Sequence, residues 1–117
     1  MKYKEYALPK WAVNFVCAAV EGQEVRRRLI EAGAPDTITA RYSEINKAVS
    51  DGLQVACEPG EIIHIYEAIL YRRGYRTSLG YPGGYNRFYN VKRRAVYEIA
   101  SRLGVAPTRH KNKRDKR

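Results

Sequence analysis

The segment from Tyr85 to Leu103 constrains the fold most. With successive residues turned 100° about a helix axis, Phe88, Val91, Ala95, Ile99 and Leu103 fall on one side. Asn86, Asn90, Arg93, Arg94, Tyr97 and Ser101 fall on the opposite side, flanked by Arg87 and Tyr89. Lys92 lies beside the apolar stripe, where its stem can pack while its head reaches water. This pattern predicts an amphipathic helix from about Tyr85 or Asn86 to Leu103, stopped by Gly104. A helix with one apolar stripe must bury it against another element.

The rest of the chain offers helices for that purpose and no convincing strand. Val13, Val16, Cys17, Val20, Val25 and Leu29 predict a helix over Pro9 to Glu31. Gly22 weakens its middle, so the alternatives are a kink or two shorter helices. Ala32-Gly33-Ala34-Pro35 is a stop. A second pattern opens at Asp36 or Ser43 and carries Ile38, Tyr42, Ile45, Val49 and Ala56. Gly52 lies on that stripe and marks either a close helix contact or a weak point. A third pattern opens near Pro59 and carries Ile62, Ile63, Tyr66, Ile69 and Leu70. Arg72 and Arg73 are expected in its last turn, with Gly74 just beyond it as the capping glycine. Tyr75 to Gly84 reads as a loop or distorted turn. The expected class is all-α: one small helical domain over residues 1–105, with a helix-turn-helix-like unit at about 59–105. A flexible, disordered basic tail is expected over 106–117.

Charge divides the chain differently. Residues 1–70 carry 8 Lys/Arg and 10 Asp/Glu, whereas residues 71–117 carry 14 Lys/Arg and only Glu98 and Asp115 as acids. A field of one sign over a short segment calls for a polyanion or serves solubility. Seven of the ten tyrosines lie from Tyr66 to Tyr97, in the same region. Packing is expected for Tyr66, Tyr71 and Tyr97; for Tyr81, Tyr85 and Tyr89, stacking on bases and packing are both open. Cys17 and Cys57 sit in apolar helical patterns, and no secretory signal or membrane span is legible. Reduced cysteines and a cytoplasmic location are therefore expected.

The polar face of the last helix has the chemistry of DNA recognition. Arg pairs bidentately with guanine and Asn with adenine in the major groove. Asn86, Arg87, Asn90, Arg93 and Arg94 fill its first half, where residues reading bases usually lie. Tyr89, Lys92 and the upstream Arg76 suit phosphates. Lys111, Lys113 and Arg114 in the tail add sequence-independent, salt-dependent affinity. An ordinary solvated helix would instead mix signs at pairing distance.

Residues of about Glu61 to Val105 resemble a sigma-factor-region-4-type helix-turn-helix. More narrowly, the chain resembles phage and prophage late-gene transcriptional activators of the RinA/ArpU type. The resemblance rests on Ile62-Ile63-His64-Ile65-Tyr66, Arg73-Gly74-Tyr75 and the run from Asn86 to Gly104. It implies a recognition helix in the major groove, preceded by a short helix. Here that place holds Arg76 to Gly84, where Thr77–Tyr81 has room for one helical turn. Double-stranded DNA is the implied partner, RNA polymerase a candidate second one, and a homodimer a candidate assembly.

No catalytic, metal-ligating or phosphate-loop pattern is legible, and neither an enzyme nor a cofactor is expected. The rival readings are a DNA-packaging component such as a terminase small subunit, an RNA-binding accessory protein that stacks bases on its tyrosines, and a protein-interaction adaptor.

Overall fold

The computed structural model describes residues 6–106. Five α-helices make up its regular structure: α1 Lys10–Glu21, α2 Gln23–Glu31, α3 Asp36–Ala56, α4 Ile62–Leu70 and α5 Tyr85–Arg102. Among the described residues there is no strand. The all-α expectation therefore holds. The expected tail lies outside the described residues except Ala106, which packs with Val105 against the core.

Gly22 splits the first pattern into two helices. Arg26 folds back across this junction. Its guanidinium donates to the Ala19 carbonyl in the last turn of α1 and to Asn46 Oδ1 of α3 at 2.7 Å. A side chain on Gly22 would meet that guanidinium. Gly33, at φ +90°, ends α2 with the Ala34 N–H donating to the Leu29 carbonyl. Pro35 then opens α3 at Asp36, the earlier of the two expected starts.

The core is centred on α5. Its Phe88, Ala95, Ile99 and Ala100 are fully buried, and it packs on α1, α3 and α4. The largest interface is with α3, and Gly52 makes it possible. A Cβ at this position would stand 2.6 Å from Ile99 Cγ1 and 2.9 Å from the Ile99 backbone nitrogen. The glycine is thus a close helix contact. Alanine here would gain about 1 kcal/mol of helix propensity. The crowding costs roughly 1–3 kcal/mol, because backbone cannot swing aside as a side chain can. Gly52→Ala is therefore expected to lower the urea midpoint without changing the slope; a midpoint at or above wild type would contradict the contact.

α4 ends differently from expectation. The helix stops at Leu70, so Arg72 and Arg73 lie beyond it. Arg72 takes the left-handed position at φ 54°, with the Arg73 N–H donating to the Ala68 carbonyl at 2.9 Å. Gly74 is extended at φ −98°. The closing geometry needs one left-handed residue two positions after the last helical one, and register puts arginine there.

Candidate nucleic-acid interface

Residues 71–84 set how α5 is presented. Tyr75 to Gly84 is the loop or distorted turn expected of it, and no helical turn forms over Thr77–Tyr81. A 3-10 turn spans Tyr75–Thr77, and a tight turn follows in which the Tyr81 N–H donates to the Ser78 carbonyl at 3.2 Å. Gly80, at φ +83°, supplies the left-handed residue of that turn. The linker is tied down along its length. Ser78 Oγ donates to the Gly74 carbonyl at 3.0 Å. The Tyr75 N–H donates to the Tyr89 hydroxyl at 3.0 Å. The rings of Tyr75, Tyr81 and Tyr89 each meet Phe88 edge to face, at 5.8, 5.2 and 4.9 Å between centroids.

A buried carboxylate anchors the junction. Glu61 is 3% exposed. It accepts from Arg87 Nε at 2.7 Å and Nη2 at 2.8 Å, from the Tyr81 hydroxyl at 2.6 Å, and from the Glu58 N–H at 2.9 Å. Burial alone would raise its pKa; the bonds from Arg87, Tyr81 and Glu58 outweigh burial and hold it below the usual carboxylate range. The first turn of α5 is thereby locked to Glu61, the residue just before α4. Burial also pushes the neighbouring Cys57 thiol up to about 12. Both cysteines are free and buried.

The expected site residues separate into three groups. Asn86 and Arg93 are exposed on the outer face of α5, and Asn90 lies between them, half-buried. Arg76 is exposed on the 3-10 turn, and among the described residues no carboxylate pairs with it. Arg94 reaches Glu98 at 3.8 Å. The second group has internal work. Arg87 holds Glu61, Lys92 Nζ donates to the Arg73 carbonyl at 3.0 Å, and the Tyr89 hydroxyl holds the linker. Burial lowers the Lys92 pKa below the usual lysine range. Helix spacing alone does not reveal this group, because each partner is at least 14 residues away in sequence. The third group, Lys111, Lys113 and Arg114, lies outside the described residues.

One aromatic expectation holds and one changes. Tyr97 is buried, as expected of packing, yet it sits on the polar side of α5. Tyr6, from the segment before α1, covers it edge to face at 5.4 Å. The open polar face is therefore the first half of α5. Tyr71, for which packing was expected, is exposed with the Arg73 guanidinium 4.8 Å from its ring centre. Tyr81 and Tyr89 pack, whereas Tyr85 is 60% exposed beside them.

From Ala68 to Tyr97 there is no Asp or Glu. Carboxylates from outside it reach in to Arg72 from Glu21, Arg73 from Glu67, Arg87 from Glu61 and Arg94 from Glu98. Lys92 donates to a neutral carbonyl and, among the described residues, forms no ion pair with a carboxylate. Among the described residues no helix is long and apolar enough to cross a membrane. Comparison of the chain with protein-family models, curated proteins and solved structures gives no match.

Proposed function

We propose that this protein binds duplex DNA through the first half of α5 and the linker before it. The observation that carries the reading is one face of α5 in a stretch without acids, with Asn86 and Arg93 exposed and Asn90 half-buried between them, its Oδ1 buried. Asn and Arg are the side chains that pair bidentately with adenine and guanine, and they occupy the helix half that enters a groove first. Arg76 and Arg94 flank this face as phosphate contacts, and Lys111, Lys113 and Arg114 add grip. Arg87, Lys92 and Tyr89 serve the reading indirectly, by fixing the helix. The resemblance of residues 61–105 narrows the role to a phage-type transcriptional regulator, with RNA polymerase as a further partner.

Duplexes selected from a random pool test this. Arg93→Ala should weaken binding to the selected duplex about tenfold more than to a scrambled one. Removing residues 109–117 should weaken both equally and flatten the salt dependence. Equal losses from Arg93→Ala on both duplexes would count against base reading.

A second reading, single-stranded nucleic acid, has its own support in the exposed rings of Tyr71 and Tyr85 beside basic residues. A preference for single strands that Tyr85→Ala removes would favour it.

A further inference from the structure

The apolar stripe of α3 does not end where the core ends. Val49 is fully buried, Ile45 is half-buried, and Ile38, two turns earlier on the same face, is 41% exposed. α2, which lies against this outer half of α3, has no buried residue at all. It is held there by polar bonds, Arg26 to Asn46 and Gln23 to Ser50. The two helices thus form an arm that no other described residue buries. Beside it, α1 turns Trp11 and Phe15, one helical turn apart, to solvent at 61% and 49% exposure. A groove of about 210 Å³ joins the two surfaces, walled by Phe15, Ala18, Ala19, Arg26, Ile45 and Leu103.

We infer that this face is where a second copy of the chain packs. Charge selects that occupant. The arm's charges are largely satisfied locally, with Arg27 bonded to Glu24 and Glu31 and Lys47 to Asp51. Such a near-neutral surface meets its own copy without repulsion, unlike the basic stretch around α5, and offers little steering to a strongly charged partner. Trp11 and Phe15 alone expose roughly 200 Å² at typical aromatic sizes. That is about a quarter of the roughly 800 Å² per partner that a stable dimer needs, and the groove walls and Ile38 extend the same surface. An isologous pair also presents two α5 faces, matching two half-sites.

The test is sedimentation equilibrium on the full chain from micromolar to sub-millimolar concentration. The wild type should be a dimer, and Trp11→Glu with Phe15→Glu should weaken it at least about 100-fold with helical circular dichroism unchanged. Ile38→Glu, in the first turn of α3 where an acid suits the helix dipole, should weaken it independently of any effect on α1. A wild type that stays monomeric, an assembly larger than a dimer, or dimers that survive both variants unchanged would overturn the inference.

Discussion

Phe88→Ala is expected to remove about 4 kcal/mol of folding stability, among the largest losses available to a single core truncation. Phe88 is fully buried and is the ring that Tyr75, Tyr81 and Tyr89 all meet edge to face. Its loss therefore leaves a cavity and also removes the platform on which the linker rests. Small domains hold only about 5–15 kcal/mol in total, so a large part of the stability goes with one side chain. Denaturant unfolding measures it. A loss below about 1 kcal/mol would mean that the tyrosines do not depend on this ring.

Glu61→Ala is the second. Removing a buried carboxylate strands Arg87, the Tyr81 hydroxyl and the Glu58 N–H together. Breaking such a pair costs about 3–5 kcal/mol; about 3 kcal/mol is expected here, since Arg87 is half exposed and can regain water. The pH dependence has a definite sign. The folded pKa of Glu61 is depressed, so its contribution is complete above the ordinary carboxylate range and is lost as pH falls through the folded value. The stability gap between wild type and Glu61→Ala should accordingly narrow toward acid. A gap that is constant with pH would show that the carboxylate is not the stabilising form.

Much of this arrangement was legible from local pattern. The stripe of α5 was, because its residues are neighbours along one helix and spacing alone places them. Gly22 and Gly33 were too, since helix breaks are set by the residues at the break. The cap at Arg72 was not: a glycine two residues later looked the better candidate, and only register decides which residue takes the left-handed position. The duties of Arg87 and Lys92 were also hidden. Each depends on a partner across the fold, Glu61 for one and the Arg73 carbonyl for the other. A wheel shows which way a side chain leaves its helix, and says nothing of what stands opposite. The covering of Tyr97 by Tyr6 belongs to the same kind of information.

The proposed interface thus narrows from the whole basic C-terminal part to a short outer face. Two of its expected cations act as struts, and the remaining side chains are held on a helix whose start is bolted to Glu61. That rigidity is what base reading requires, because bidentate pairing tolerates little freedom in the side chain's origin.

Binding of the full chain to duplex DNA, single-stranded DNA and RNA, each across a salt series, tests the central claim most directly. The account predicts preference for the duplex, with affinity falling steeply as salt rises. Absence of binding to all three at low salt, or preference for a single strand, would contradict it.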